Sequence, residues 1–213
     1  MSTPSPLDRM LQLLRDRGIH DERVLAALAE VPRERFVPPE IRHQAWDDNA
    51  LPIGCGQTIS QPLIVAWMTE LLELTGSEHV LEIGTGTGYQ TAILARLARQ
   101  VVSVERIPEL SITAAQRLAE LNIRNVELVV GDGSLGWPEC APYDAILAAA
   151  GAPQLPQPLY DQLAPGGRLV LPIGDAQQQD LQRIRRTPTG PAIESLGGCR
   201  FVPLIGAAGW PEK

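Results

Sequence analysis

Apolar residues in the middle of the chain follow two spacings in turn. Short apolar runs, namely VLEIG, VVSVE, VELVV, YDAILAA and GGRLVLPIG, have the length and composition of strands buried on both faces. Between them, apolar residues recur every three or four positions, as in ELSITAAQRLAELN, where Leu110, Ala114 and Leu118 share one stripe of a helix. Alternating strands and helices of this kind predict βαβ units and a doubly wound, mostly parallel α/β sheet.

Both ends of the chain depart from this alternation. Residues 5–30 predict two short helices, and the prolines of VPRERFVPPE end the second one. Residues 31–60 predict an irregular connection, which is unusually long for a compact domain. From residue 178 onward, weaker alternation predicts further strands. We therefore expect residues 1–213 to form a single domain with three parts: an N-terminal helical cap and loop (1–60), a core (61–175) and C-terminal edge strands (176–213).

Composition and charge restrict the partners. The 213-residue chain carries a net charge of −7 and its basic residues are scattered, so attraction to nucleic acid or to a membrane surface is not expected. Its three cysteines are far apart and include no CxxC pair, which argues against a disulfide framework and a metal site. We find no signal peptide and no apolar run of ~18 residues, so we expect a cytoplasmic protein, and we expect it to be a monomer.

The segment VLEIGTGTGYQ contains a candidate ligand-binding loop. Gly84, Gly86 and Gly88 follow a buried strand and precede a helix, where glycines allow a tight turn and the close approach of a ligand to the backbone. The last position of the dinucleotide fingerprint G-x-G-x-x-G is Tyr89 here rather than glycine. A glycine loop alone is a weak signal, and a mere tight strand–helix turn is the alternative.

Two further strand ends carry acidic residues. Glu105 lies about 20 residues after the glycine loop, where a carboxylate accepts hydrogen bonds from ribose hydroxyls; the alternative is a solvent-exposed acid balanced by Arg106. Asp132 suits an adenine amine, with the Gly133 N–H donating to a ring nitrogen, or else it forms an Asx turn. These three strand ends offer contacts to a nucleoside, and no P-loop lysine accompanies them, so S-adenosylmethionine fits best.

The segment LPIGCGQTISQP, residues 51–62, contains no Lys, Arg, Asp, Glu or His, yet it is rich in glycine, hydroxyls and amides. The hydroxyls of Thr58 and Ser60, with nearby backbone N–H groups, are suited to holding a carboxylate. Ser60 has a second interpretation as the N-cap of the following helix, and the two roles can coexist.

Five segments together resemble the protein-L-isoaspartate O-methyltransferase family: LPIGCGQTISQPLIVAWMTELL, VLEIGTGTGYQTAILA, VVSVER, GDGSLGWPECAPYDAILAAA and LAPGGRLVLPIG. The glycine-loop segment is shared among class I S-adenosylmethionine-dependent methyltransferases, which are Rossmann-like, whereas IGxGQTISQP is far more specific. The resemblance implies methyl transfer from S-adenosylmethionine to the free carboxyl of isoaspartyl residues in damaged proteins and peptides. It also implies an altered strand order near the C-terminal end of the sheet.

The candidate site residues lie in these segments. By the resemblance, Ser60 takes the family's active-site serine position. The candidates for substrate binding around it are Thr58, Ile59 and Gln61. The candidates for cofactor binding are Glu82, Gly84, Thr85, Gly86, Gly88, Tyr89, Glu105, Arg106, Asp132 and Gly133. No metal ligand is expected.

The chemistry explains why the substrate loop needs no charge. A carboxylate with a pKa near ~3.5–4 is already ionised at neutral pH, so it needs no general base, and a sulfonium donor leaves without a proton. What remains is alignment, which can lower a barrier by about 7–11 kcal/mol. We expect Ser60 to orient the carboxylate rather than attack, because no histidine lies near it in the sequence. Three rivals stay open: a nicotinamide-dependent dehydrogenase, a methyltransferase acting on RNA or a small molecule, and a non-catalytic binder.

Overall fold

Six α-helices and nine strands make up most of the regular structure in residues 3–212, the part of the chain that the computed structural model describes. The helices are α1 (Pro6–Asp16), α2 (Glu22–Glu30), α3 (Pro62–Leu71), α4 (Tyr89–Leu97), α5 (Pro108–Glu120) and α6 (Gln157–Asp161). The strands are β1 (Leu51–Gly54), β2 (Gln57–Ile59), β3 (His79–Ile83), β4 (Gln100–Glu105), β5 (Val126–Val130), β6 (Tyr143–Ala148), β7 (Leu163–Gly174), β8 (Gln179–Thr187) and β9 (Gly190–Cys199).

Seven of the strands form one sheet in the order β5-β4-β3-β6-β7-β8-β9. β3 pairs in parallel with both β4 and β6, and β5 and β7 extend the parallel part on either side. β8 and β9 are antiparallel and form the C-terminal edge. The mostly parallel sheet with C-terminal edge strands is therefore confirmed. The chain runs outward from β3 to β5 and then returns to the other side of β3, which makes β3 the switch point where such sheets bind ligands.

Both faces of the sheet are covered, which explains the continuous apolar strands. Because successive residues of a strand point to opposite faces, Val80 lies in one apolar core and Leu81 in the other, and Val101 and Val102 divide in the same way. A strand in this environment has no polar face, so its sequence is one apolar run. Across residues 3–212, every helix falls short of the length and apolar content that a membrane crossing requires.

The two N-terminal helices begin at their capping residues. Ser5 forms a reciprocal capping box with Asp8: Asp8 N donates to Ser5 Oγ (3.1 Å) and Ser5 N donates to Asp8 Oδ2 (2.9 Å). Asp21 caps α2 by accepting a hydrogen bond from Arg23 N (2.8 Å). The prediction of two short helices in this part of the chain is confirmed.

Residues 31–60 are more regular than the sequence predicts. Two short 3-10 turns lead into a hairpin, in which β1 pairs antiparallel with β2. At its tip, Gly54, Cys55 and Gly56 have positive φ angles of 91°, 51° and 69°, a conformation that favours glycine. The expectation of a wholly irregular connection is wrong, because strands of four and three residues are too short for a period-two pattern to stand out.

Helix α3 is capped from the preceding loop rather than by Ser60. Its N-cap residue is Gln61, whose side chain makes no capping hydrogen bond. Instead, Asp48 accepts hydrogen bonds from Leu63 N (3.0 Å) and from Gln61 Nε2 (2.8 Å). A carboxylate at this end also interacts favourably with the helix dipole. The prediction that Ser60 caps α3 is therefore wrong, because a residue that only folding brings near takes that role.

Gly88 joins the glycine loop to α4 at a place where a side chain does not fit. Its φ angle is 89°, and a Cβ built there stands 3.2 Å from the Cβ of Ala114 in α5. That separation is closer than ordinary van der Waals contact, so the start of α4 lies directly against α5. The glycine loop is thereby held at a fixed distance from that helix.

We expect Gly88→Ala to destabilise the fold by about 2–3 kcal/mol, because an L side chain at positive φ costs roughly 1–2 kcal/mol and crowding against Ala114 adds to it. The matched control is Gly18→Ala, since Gly18 has a similar φ of 93° but nothing within 4 Å of the added Cβ. Urea unfolding of both variants measures the difference. Equal losses would show that the contact with Ala114 contributes nothing.

Candidate active site

A cavity of about 290 Å³ lies at the carboxyl ends of β3 and β4. Its walls come from the β1–β2 hairpin, the start of α3, the glycine loop with the first turn of α4, and a segment near the C-terminus. The volume is at the lower end of the range for small-molecule sites, and the position is the one expected at the switch point of a parallel sheet.

Two glycines shape the wall that faces the hairpin. Gly84 and Gly86 have φ angles of 91° and 55°. A Cβ at Gly86 would stand 3.5 Å from Ile53 Cδ1 in the hairpin, and one at Gly84 would stand 3.6 Å from the Cβ of Ala149 just past β6. The loop therefore packs between these two elements, and its backbone is open to a ligand without interference from a side chain.

Glu105, at the end of β4, holds the glycine loop and lines the cavity. Gly86 N donates to Glu105 Oε2 (2.8 Å) and Ile107 N donates to Glu105 Oε1 (3.0 Å). The residue is buried, and because a carboxylate oxygen can accept two hydrogen bonds and each of these accepts one, it retains capacity for ribose hydroxyls. The alternative of an exposed acid balanced by Arg106 does not hold, because Arg106 pairs with Glu212 (2.5 Å).

Glu82 lies behind the glycine loop rather than at the cavity wall. Its Oε2 accepts hydrogen bonds from Thr91 Oγ1 (2.5 Å) and Ser103 Oγ (2.6 Å), whereas Oε1 has no partner within residues 3–212. Complete burial raises the pKa of the Glu82 carboxyl to about 8, and the charge of Glu105 adds to this effect. Its carboxylate is buried where it joins β3 to α4 and β4 and does not line the cavity, so its contact with the cofactor stays a prediction.

Gly133 reaches the cavity, but Asp132 before it does not. A Cβ at Gly133 would stand 2.5 Å from Ile83 Cγ2, so only glycine allows this close approach to β3. Asp132 Oδ1 accepts from Ser134 N (2.9 Å), and Asp132 Oδ2 accepts from Ala207 N (2.7 Å). The Asx-turn alternative therefore describes this carboxylate, and its contact with an adenine amine stays a prediction.

The predicted site residues fall into two groups. Those at the cavity wall are Thr58, Ile59, Ser60, Gly84, Thr85, Gly86, Tyr89, Glu105, Arg106 and Gly133. Those away from the wall are Gln61, Glu82, Gly88 and Asp132. The first group is brought together by the fold, and its binding roles remain predictions. The second group lies around this wall, and its binding roles also remain predictions.

The hairpin places uncharged hydroxyl groups at the cavity. Thr58 lies in β2 and Ser60 lies between β2 and α3, and both line the wall. Within the described part of the chain, the wall includes no histidine, lysine or cysteine, and its charged side chains are Glu105 and Arg106. Residues 3–212 also contain no group of three or more potential ligands arranged to hold a metal ion. The arrangement is suited to binding and aligning reactants rather than to proton transfer.

Sequence reasoning missed one wall of the cavity, formed by residues 202–205. Gly151 positions this segment, because its N–H donates to Val202 O (2.8 Å) and its carbonyl accepts from Leu204 N (2.8 Å). No local pattern marks these residues, since a distant part of the chain places them. Ala149 was also missed, although the rule that ligands bind beyond strand ends points to the end of β6.

Comparison with known proteins finds relatives over nearly the whole chain. A family model described as Protein-L-isoaspartate(D-aspartate) O-methyltransferase matches residues 6–209. Protein-L-isoaspartate O-methyltransferase 1 of Syntrophobacter fumaroxidans is 55% identical over 204 residues, which are 95% of this chain and 95% of that one. Protein-L-isoaspartate O-methyltransferase of Erwinia tasmaniensis is 54% identical over 199 residues, 93% of this chain and 95% of that one.

Two solved structures are similar to this chain. One, described as a protein-L-isoaspartate O-methyltransferase, has a TM-score of 0.84 at 30% identity and covers 95% of this chain; the match spans 66% of that longer chain. The other is described as a protein-L-isoaspartate O-methyltransferase of Plasmodium falciparum in complex with S-adenosyl-L-homocysteine. It has a TM-score of 0.81 at 25% identity and covers 92% of this chain and 97% of that one.

We expect Glu82→Gln to stabilise the protein increasingly as the pH rises. Between 4.5, the ordinary pKa of a glutamate, and about 8, its pKa in the fold, the folded protein keeps a proton that the unfolded chain releases. Wild-type stability therefore falls through this window, by up to about 1.4 kcal/mol per pH unit from this group. The side-chain amide introduced by Glu82→Gln cannot ionise, so the variant does not lose this stability as the pH rises.

Urea unfolding of Glu82→Gln and wild type, in steps from about pH 5 to pH 8, measures this effect as the difference in unfolding free energy. The comparison with wild type at each pH cancels the contributions of all other titrating groups. A difference that does not change with pH would contradict a protonated, buried carboxyl at this position.

Proposed function

Because the chain belongs to the protein-L-isoaspartate(D-aspartate) O-methyltransferase family, we propose that its cavity aligns an isoaspartyl carboxylate beside Ser60 with a methyl donor on the glycine loop. The enzyme transfers a methyl group from S-adenosylmethionine to the free carboxyl of L-isoaspartyl residues in damaged proteins and peptides. Methylation initiates repair, because the neighbouring backbone nitrogen attacks the ester carbonyl and expels methanol to form a succinimide, whose hydrolysis yields some normal aspartate. The family assignment replaces the alternative of a nicotinamide-dependent dehydrogenase.

The residues of the cavity fit S-adenosylmethionine. A ligand can lie along the backbone of Gly84 and Gly86, where a Cβ would fill the space. Glu105 and Gly133 both line the cavity, where Glu105 would accept hydrogen bonds from ribose hydroxyls and Gly133 would meet the adenine ring. The chemistry that the bound donor supplies is an electrophilic methyl group on a sulfonium, whose departure as a neutral thioether needs no proton.

The observation that carries the proposal is the pairing of an uncharged, hydroxyl-bearing hairpin with the glycine loop across one cavity. The substrate carboxylate is ionised at neutral pH and needs no base, which agrees with a wall that contains no histidine or lysine among the described residues. Thr58 and Ser60 would donate hydrogen bonds to one carboxylate oxygen and leave the other in line with the methyl carbon. A cation in their place would compete with the sulfonium for the carboxylate.

The hairpin also keeps water away from the reacting groups. Ile53 and Ile59 line the cavity from the hairpin side, and Val65 and Met68 line it from α3. When an anion and a sulfonium react, their charges are neutralised, so a less polar surrounding favours the reaction over the separated ions. These apolar side chains therefore contribute to the rate by excluding solvent.

Three finer features belong to the proposal. We propose that the protein works in the cytoplasm, as a monomer, and that it binds neither nucleic acid nor membranes. The net charge of −7 supports the third feature, because phosphate groups and anionic lipids repel an acidic protein.

An assay with a labelled methyl donor tests the assignment directly. We expect the protein to label an isoaspartyl peptide and to leave the normal aspartyl peptide of the same sequence unlabelled. The two peptides have the same composition and charge, so the difference isolates the position of the carboxyl. Equal labelling of both, or of neither, contradicts the proposed function.

We expect Ser60→Ala to lower kcat/KM for the isoaspartyl peptide by roughly 10–100-fold, because a hydrogen bond to a charged group is worth about 1.5–3 kcal/mol. Stability should change by less than about 0.5 kcal/mol, since Asp48 rather than Ser60 caps α3.

The matched control is Ser5→Ala, which removes a true helix cap. It should lose about 1 kcal/mol of stability with turnover unchanged. Methylation kinetics and urea unfolding of both variants separate the two roles. Wild-type turnover in Ser60→Ala would remove Ser60 from the reaction.

A further inference from the structure

A buried arginine outside the cavity contacts the loop that leads to α3. Arg33, in the 3-10 turn Arg33–Arg35, is fully buried, and the reaction described above does not use it. Its Nε donates to Ala45 O (2.8 Å) and its Nη2 donates to Asn49 O (3.4 Å). A charge is costly to bury unless partners compensate it. The guanidinium therefore holds this loop at two points.

The same guanidinium packs against Tyr89, on the cofactor side of the cavity. Arg33 Cζ lies 4.9 Å from the ring centroid of Tyr89, within cation–π range. Phe36 meets that ring edge-on, with centroids 5.4 Å apart. Tyr89 lines the cavity and is the first residue of α4 after the glycine loop. Arg33 and Phe36 thus fix the ring of Tyr89, the residue that directly follows the glycine loop.

The loop that Arg33 holds also fixes the substrate side. Along the chain, Asp48 lies between the two residues whose carbonyls Arg33 binds. It accepts hydrogen bonds from Leu63 N and Gln61 Nε2 at the start of α3. Burial lowers the pKa of the Arg33 guanidinium, and the contact with the Tyr89 side chain and the nearby carboxylate of Asp48 counteract this. Because Ser60 directly precedes Gln61, a shift of Asp48 displaces Ser60.

We propose that Arg33 is a positioning residue for methyl transfer, which holds the Tyr89 side and the Ser60 side of the cavity in register. Arginine suits this role because its planar fork bonds two carbonyls while its face stacks on a ring; lysine offers only a point charge. The inference rests on the proposed function, since it concerns the alignment of donor and acceptor. A misplacement of ~1 Å can cost about 100-fold in rate.

The first test compares Arg33→Lys and Arg33→Met with wild type. We expect kcat per folded enzyme to fall at least ~10-fold in both, while the Kd for S-adenosylhomocysteine, measured by calorimetry, changes less than about 3-fold. A merely structural role would lower the Tm and leave the kcat of the folded fraction unchanged. The matched control is Arg35→Met on the same turn, which loses an exposed pair with Glu120 and should keep both constants.

The second test adds Asp48→Asn and the double variant Arg33→Met/Asp48→Asn. We expect Asp48→Asn to lower kcat about 5-fold or more, and the double variant to lie within about 2–3-fold of the worse single variant, because both changes break one connection. Losses that multiply would overturn the proposal. If Arg33→Met does not fold, wild-type kcat in both Arg33→Lys and Asp48→Asn overturns it instead. A wild-type enzyme that leaves the isoaspartyl peptide unmethylated refutes the proposed function itself, and the inference falls with it.

Discussion

The parallel pairing of β3 with both β4 and β6 is the constraint on which the rest of the structure depends. Because β3 is flanked on both sides by parallel strands, the carboxyl ends of all three meet at one edge of the sheet. The chain must leave β3 through a turn that clears both neighbours, and the glycine loop is that turn. The cavity, Glu105 and the first turn of α4 are consequences of this one topological feature.

The proposed mechanism places a second demand, which is alignment without proton transfer. The groups that line the cavity are therefore mostly hydroxyls, backbone and apolar side chains. Two titratable groups lie just behind them. Glu82 joins strands and helix beneath the glycine loop, and Arg33 joins the loop before α3 to the Tyr89 ring. These two buried side chains fix the walls of the cavity, in which we propose that the reactants are aligned.

The sequence predicts the elements whose signals are local. Strand runs such as VLEIG are recognisable because burial on both faces removes their polar positions, and the glycine loop is recognisable because positive φ angles favour glycine. The hairpin before α3 was not recognised, because its strands are too short to show a period. The capping role that the sequence offers as a second interpretation of Ser60 is not realised, because Asp48 reaches the start of α3 only in the folded chain.

The sequence by itself therefore determined the order of strands and helices in the core, the position of the glycine loop and the acid at the end of β4. Only the tertiary structure decided that Asp48 caps α3, that Glu82 lies below the cavity wall and that residues 202–205 close it. The physical reason is the range of the interactions. Periodicity and turn preferences act between neighbours in the chain, whereas these contacts join backbone and side chains that are adjacent only after folding.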